Sequence, residues 1–434
     1  MCGRGFSALR SRLADLAGHN VRGGAVVVIA VKSSGLRALV GSPDFGNEAA
    51  AGQVNAAIAP RSPGSALKPF IYAIALDQGM CSPQTMLADV PLRFSGYRPA
   101  NFDLGFRGPV SARDALVSSL NIPALSLTQR VGLDNTVHKL QRLGISTLKA
   151  PPEHYCLSIA IGTCEVTLLD LANAYACLAR EGRYMPVRLL EGEPTVPGHM
   201  AFSRETAFMI ADMLCGEERQ FDVNGHIGDA VMPRVAWKTG TSSGHRDSVA
   251  IAWNPEYVVA VWLWNPDGSV PRKVKGNDAA IAAHGIFRRL YSDGGGPWFS
   301  RPAGLAVRQV CRQSGDLLNG NCPCAVEADY IPGITANNVC SIHRAGSGKP
   351  AAVTEAWPAE IGRFLNKSGM LADDSRKAMS QDKSAAAIRI SSPVDREAFQ
   401  LMDDMPLMKQ EVGLKAVAAE ACGPVYWFVD NELF

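Results

Sequence analysis

The stretch Arg61-Ser-Pro-Gly-Ser-Ala-Leu-Lys-Pro-Phe70 constrains this chain more than any other. Pro63-Gly64 breaks the backbone, and the apolar run behind it, through Ile71, Ile74, Ala75 and Leu76, fits a helix of period 3.6. Pro69 is tolerated because it falls near the helix start, where its missing N–H matters least. Ser65 is therefore expected in the first helical turn, with Lys68 three residues on and on the same face. A serine hydroxyl is a poor nucleophile until something takes its proton. A lysine can do so when desolvation or a cationic neighbour brings its pKa toward neutrality. The helix N-terminus adds free N–H groups and a positive dipole beside the reacting oxygen.

Ser-x-x-Lys alone arises by chance in many helices. Two companions follow it in order: Ser119-Leu-Asn121, inside Ser-Leu-Asn-Ile-Pro-Ala, and Lys238-Thr-Gly240, inside Trp-Lys-Thr-Gly-Thr-Ser. Singly, Ser119 reads as a helix cap, Asn121 as a turn residue and Lys238 as a solvated edge charge. The ordered trio outweighs those readings, because, with Ser-Asp-Asn in the middle position, it is the signature of class A β-lactamases and penicillin-binding proteins.

On these motifs the chain resembles the transpeptidase part of a bifunctional class A penicillin-binding protein, nearest to the 1C branch. The likeness extends to Gly41-Ser-Pro-Asp-Phe45, Gly52-Gln-Val-Asn55, Arg61 to Tyr72, Asp89-Val-Pro91, Asn101-Phe-Asp103, Ala115 to Ala124 and Trp237 to Ser243. The resemblance implies an α+β fold of the serine β-lactamase/DD-transpeptidase type, an antiparallel sheet flanked by helices. It implies Ser65, Lys68, Ser119, Asn121 and Lys238 as catalytic residues and Thr239, Gly240 and Thr241 as substrate-binding residues, with neither cofactor nor metal. Ser65 would attack the penultimate D-alanine of a peptidoglycan stem peptide, and Lys68 would take its proton. Ser119 would pass a proton to the leaving group, Asn121 would orient Lys68, and the N–H groups of Ser65 and Thr241 would form the oxyanion hole. Implied partners are stem peptides, β-lactam antibiotics and, as a further option, a separate membrane-anchored glycosyltransferase chain.

Three rivals share these residues. A β-lactamase needs a base for deacylating water, usually in Glu-x-x-Leu-Asn, and Glu165-Val-Thr-Leu-Leu-Asp-Leu-Ala-Asn173 lacks that spacing. A D,D-carboxypeptidase would use water as acceptor. A non-catalytic penicillin-binding module or sensor would bind without turnover, which the intact motif residues argue against.

The rest of the sequence sets the frame. At 434 residues, 47% apolar and 19% charged, the chain can bury a sizeable core. A formal charge of +2 without a Lys/Arg run gives no support to a nucleic-acid partner. Residues 1–23 show neither a secretory signal nor a membrane anchor and read as a lead-in. The resemblance places the substrate at the periplasmic face of the inner membrane and puts a transmembrane helix and a glycosyltransferase domain ahead of the transpeptidase. The chain is thus expected to be a fragment, a split gene or a trimmed piece.

Residues 24–300 read as the transpeptidase domain. Gly24 to Gly41 is a hairpin, Leu133 to Leu143, Val166 to Arg180, Ser203 to Cys215 and Ala279 to Leu290 are helices, and residues 82–109 are long and irregular. Strands are expected at Val235 to Thr241, Ser248 to Trp253 and Tyr257 to Trp264. Residues 301–345 form a Cys-rich linker with Cys311, Cys322, Cys324 and Cys340 near His343. This clustering invites a zinc reading, but Cys322-Pro-Cys324 is tighter than usual ligand spacing, so two disulfides are the preferred expectation. Residues 346–387 read as a linker, and 388–434 as the start of a small C-terminal β-sandwich of the 1C type, cut short.

Overall fold

The computed structural model describes residues 2–16, 20–92, 99–216, 233–242, 244, 246–265, 267, 269–270, 277–291, 295–345 and 353–369, with short strand pieces within 389–392, 414–417, 428–429 and 432–433. Its framework is a sheet of five strands: β1 (Gly23–Ala30), β2 (Gly35–Val40), β7 (Ala236–Thr241), β8 (Asp247–Trp253) and β9 (Tyr257–Trp264). They lie in the order β2-β1-β9-β8-β7, with every pairing antiparallel. β1, β8 and β9 are buried almost throughout, as the continuous runs Ala25-Val-Val-Val-Ile29 and Val258-Val-Ala-Val-Trp262 require when helices cover both faces.

One face carries the larger core. It is built on α2 (Lys68–Asp77), α4 (Asn121–Val131), α6 (Leu168–Ala179) and α7 (Arg204–Met213), with α3 (Ala112–Val117) and α5 (Leu133–Arg142) beside them. α2 has Lys68 through Leu76 all buried, the mark of a helix at a domain centre. Side-chain caps begin α3, α6 and α7: Ser111 accepts from the N–H of Asp114, Thr167 from Asp170 and Ser203 from Thr206. The opposite face is covered by α8 (Asn277–Leu290) and α1 (Cys2–Asp15).

Four expectations change. The lead-in is part of the domain: Leu9, Leu13 and Leu16 are buried against the second face, a stripe that becomes stable by docking rather than by propensity. The irregular stretch holds a short antiparallel pair, β3 (Met86–Asp89) with β4 (Gly108–Ser111). A second small pair, β5 (Arg183–Tyr184) with β6 (His199–Met200), closes the loop after α6. The linker after residue 346 contains β13 (Val353–Glu355) and α9 (Ala359–Lys367), whose Ile361 and Leu365 are buried.

The fourth correction concerns the cysteines. β10 (Ala306–Cys311) pairs with β11 (Ala325–Tyr330), and β12 (His343–Ala345) pairs with β13. Cys311, Cys322, Cys324 and Cys340 are free thiols, not two disulfides. Three of the sulfurs gather around His343, and Cys324 is exposed. The expected C-terminal sandwich falls largely outside the described residues, which there comprise two short strand pairs, β14 (Arg389–Ser392) with β15 (Lys415–Val417) and β16 (Phe428–Val429) with β17 (Glu432–Leu433).

Candidate active site

Ser65 sits in a 3-10 turn, Gly64–Leu67, that runs directly into α2 at Lys68. The turn lies against β7, the free edge of the sheet. A Cβ on Gly240 would lie 2.0 Å from the Pro63 carbonyl oxygen, and one on Gly64 would lie 2.3 Å from that of Thr241. Lys-Thr-Gly therefore needs its glycine so that strand and nucleophile turn can touch backbone to backbone. Gly64 has φ 53°, which glycine adopts without strain.

Lys68 is fully buried, and its Nζ donates to the Ser119 carbonyl at 2.5 Å and to Asn121 Oδ1 at 2.7 Å. Burial brings its pKa down to about 7, against an opposing pull from the Asp89 carboxylate. A neutral amine has two N–H donors and one lone pair. The two acceptors can occupy both donors of the neutral amine, and Ser65 lies one turn ahead of it in the chain.

Lys238 projects from β7 and is also buried; its Nζ donates to Ser119 Oγ and to the Thr239 carbonyl, both at 2.8 Å. Ser119 thus links the two lysines, its carbonyl to Lys68 and its hydroxyl to Lys238. Along β7 the Trp237 N–H turns to Leu214 outside the sheet, whereas the Ser242 N–H turns to Asp247 of the neighbouring strand. By the strand's period of two, the Thr241 N–H points off the free edge, on the side of the Ser65 turn. Thr239 and Thr241 are half-buried along the same edge. All eight residues expected from the sequence therefore meet at one place.

The loop that presents Ser119 is strained. α3 ends in a Schellman motif, with the Ser119 N–H bonded to Leu116 O and the Leu120 N–H to Ala115 O. The left-handed position of that motif normally takes glycine, yet here it is Ser119, with φ 58°. A left-handed L-residue costs about 1–2 kcal/mol. Ser119→Gly relieves that strain but leaves the buried Lys238 Nζ without its hydroxyl acceptor, a loss of about 1–3 kcal/mol. Ser119→Ala loses the same acceptor and keeps the strain, so it is expected to be about 1 kcal/mol less stable than Ser119→Gly in a urea titration. Both variants should slow β-lactam acylation by about 10²-fold, because the hydroxyl between the lysines is gone. Equal stability of the two variants would contradict the strain argument.

Sequence reasoning missed what holds Asn121. Its backbone N–H, a free donor at the start of α4, bonds Asn101 Oδ1 at 2.8 Å, and its Nδ2 bonds the Ala100 carbonyl at 2.7 Å. Asn101 in turn donates to both oxygens of the buried Asp89 carboxylate, at 2.9 and 3.0 Å, and the Arg107 N–H adds a third bond at 2.9 Å. Asp89, Asn101, Asn121 and Lys68 form one continuous chain of hydrogen bonds. Asp89 and Asn101 fall in stretches that carry the family likeness, but no motif gives them a role, and a buried Asp–Asn pair leaves no periodic trace in a sequence. Arg61 is likewise held by tertiary partners. It pairs with Asp247 at 3.4 Å and stacks 5.0 Å from the Trp264 ring centre, while Asp247 accepts from Ser242 Oγ at 2.7 Å. Ser243 and His245, which follow the third motif, lie outside the described residues.

An antiparallel sheet between two helical layers, with a serine and a lysine one turn apart beside its edge strand, defines the serine β-lactamase/transpeptidase class of fold. The family model described as the penicillin binding protein transpeptidase domain matches residues 24–291, and the chain belongs to that family. It is 38% identical over 248 residues to penicillin-binding protein 1C of Escherichia coli (strain K12), covering 56% of this chain and 31% of that protein. It is 29% identical over 415 residues to penicillin-binding protein 1A of Neisseria cinerea, covering 90% and 46%. The chain thus spans less than half the length of these relatives. Among solved structures, penicillin-binding protein 1A from Haemophilus influenzae superposes with a TM-score of 0.62 at 21% identity, covering 74% of this chain and 55% of that one. The PonA1 protein from Mycobacterium tuberculosis, in complex with penicillin V, gives 0.59 at 20% identity, covering 69% and 87%. These two likenesses are of fold. No described helix is long and apolar enough to cross a membrane.

Proposed function

We propose that this chain is a serine-type D-alanyl-D-alanine transpeptidase domain, acting on peptidoglycan stem peptides at the periplasmic face of the inner membrane and acylated by β-lactams. The observation that carries the reading is Lys68: a buried amine, near neutrality in pKa, one helical turn from Ser65 with its donors already engaged. The neutral Lys68 takes the Ser65 proton as Oγ attacks the penultimate D-alanine carbonyl. The N–H groups of Ser65 and Thr241 hold the tetrahedral oxyanion. Ser119, polarised by Lys238, gives its hydroxyl proton to the amine of the departing D-alanine and takes in exchange the one held on Lys68, which is neutral again for the second step. Lys238 and the hydroxyls of Thr239 and Thr241 bind the terminal carboxylate, a group that penicillins also carry. An amine from a second stem peptide then attacks the acyl ester and restores Ser65.

Hydrolysis is disfavoured as the main outcome. Glu165, the nearest match to a deacylating base, is exposed just ahead of α6. Incubation with benzylpenicillin is therefore expected to add one long-lived penicilloyl mass to the wild type and none to Ser65→Ala. Rapid return to the free mass would move the assignment to a β-lactamase, and absence of an adduct on folded protein would move it to a non-catalytic module. With a pentapeptide donor and an amine acceptor, cross-linked product identifies the transpeptidase, and merely trimmed product a carboxypeptidase.

A further inference from the structure

Beyond the residues that pack on the transpeptidase core, such as Leu305 and Ile331, the described part of the following segment has only small apolar clusters of its own. One consists of Cys311, Cys340 and Ile342, with Cys322 and Trp357 packed against it. Small modules with so little core are commonly held by a staple. The same cysteines supply one. His343 Nδ1 lies 3.4 Å from Cys311 Sγ and 3.4 Å from Cys340 Sγ, and with Cys322 Sγ the four donor atoms all fall within 4.8 Å of one another.

Those separations are the edges of a metal tetrahedron. Bonds of about 2.3 Å to sulfur and about 2.0 Å to nitrogen put neighbouring S and N atoms about 3.5 Å apart and neighbouring sulfurs about 3.8 Å apart. Two of the three S–N edges are in place, and the longest separation needs to close by only about 1 Å, within reach of a side-chain rotation.

The surroundings hold the donors in position. Gln313 Oε1 accepts from His343 Nε2, which fixes the tautomer and leaves the Nδ1 lone pair facing the sulfurs. Asn319 ties the two ligand turns together: its Nδ2 donates to the carbonyls of Cys340 at 2.6 Å and His343 at 2.9 Å, and its N–H donates to Cys322 Sγ at 3.3 Å. Cys324, exposed and outside the cluster, removes the objection drawn from Cys-Pro-Cys spacing, since only one cysteine of that pair points in.

We propose that Cys311, Cys322, Cys340 and His343 bind one zinc ion in a closed, structural Cys3His site. Three thiols lose their protons on binding, the imidazole enters neutral, and no fourth position remains for water or substrate. The ion joins the ends of β10 and β12 to the turn at Cys322. It also steadies the contact with the transpeptidase domain, where Met86 N–H bonds Ser314 O at 3.1 Å and Ala336 N–H bonds Gly79 O at 3.0 Å.

The test uses the full chain purified with reductant. Elemental analysis should find one zinc per chain in the wild type and in Cys324→Ser, and far less in Cys322→Ser. Because Cys322→Ser could lose metal by unfolding, the wild type is also exchanged with cobalt(II). A strong thiolate-to-cobalt charge-transfer band with the intense d–d bands of a tetrahedral ion supports the site. The weak spectrum of a six-coordinate ion overturns it. So does wild-type protein that, given zinc in excess, stays metal-free or contains a disulfide among Cys311, Cys322 and Cys340.

Discussion

Acylation of Ser65 by benzylpenicillin is expected to rise with pH along a single ionisation near pH 7, and to fall by about 10²–10⁴-fold in Lys68→Met. The charged ammonium has no lone pair, so the rate follows the neutral fraction of Lys68. Lys68→Arg should not rescue it, because a guanidinium stays protonated throughout. The same ionisation makes an independent thermodynamic prediction. In the unfolded chain the amine titrates near 10.5, and in the folded one near 7. Between these values the unfolded state binds the extra proton, so stability increases as pH rises from 7 toward 10.5, and the penalty is fully present below pH 7. Relative to Lys68→Met, the wild type should gain about 3.5 kcal/mol between pH 7 and pH 10, with a slope of about 1.4 kcal/mol per pH unit in the middle of that range and less at its ends. Urea titrations of both proteins across that range give the comparison. Parallel stability curves would show that Lys68 is solvated, and with that the base assignment would fall.

How far the sequence discloses such a site depends on what kind of signal each part leaves. Ser65, Lys68, Ser119, Asn121, Lys238 and Thr239 to Thr241 sit in three short motifs, so their convergence is legible in the order of residues alone. The sheet is nearly as legible, because β1, β9 and the Val249 to Trp253 part of β8 are unbroken apolar runs rich in β-branched residues, which only a doubly covered sheet buries. Legibility fails where stability comes from tertiary contact. Leu9, Leu13 and Leu16 form a narrow stripe in an otherwise polar segment, and nothing local announces the sheet face that buries them. The Asp89–Asn101–Asn121 chain joins a four-residue strand, a loop and a helix start, and its polar side chains have no periodicity. The thiols mislead in another way. Cys322-Pro-Cys324 counts as a pair in sequence, but the turn at Asn319 directs one sulfur to His343 and leaves the other exposed.

Gly240→Ala should be nearly as damaging to acyl transfer as loss of Lys68, although it removes no functional group. The added methyl would lie 2.0 Å from Pro63 O, 2.9 Å from Ala66 N and 2.8 Å from Val249 Cγ1. None of the three can yield cheaply. Pro63 and Ala66 bracket the Ser65 turn, and Val249 is buried on the neighbouring strand. Behind the turn there is no room for retreat, because Gly162 already approaches Gly64 so closely that a Cβ there would stand 2.3 Å from its nitrogen. Overpacking of this kind costs about 1–3 kcal/mol and is relieved by moving the strand away from the turn. Such a movement separates the Ser65 and Thr241 N–H groups and shifts Lys238 from Ser119. A displacement of about 1 Å at a reacting centre costs about 10²-fold in rate. The expected result is a folded protein with a modestly lowered urea midpoint and an acylation rate constant reduced by at least that factor. Gly285→Ala is the control: it lies inside α8 with nothing within 4 Å of the added carbon. That change should add up to about 1 kcal/mol of stability, through helix propensity, and leave acylation untouched. Wild-type acylation by Gly240→Ala would mean that strand and nucleophile turn move independently. The oxyanion hole would then have to be sought elsewhere than between Ser65 and Thr241.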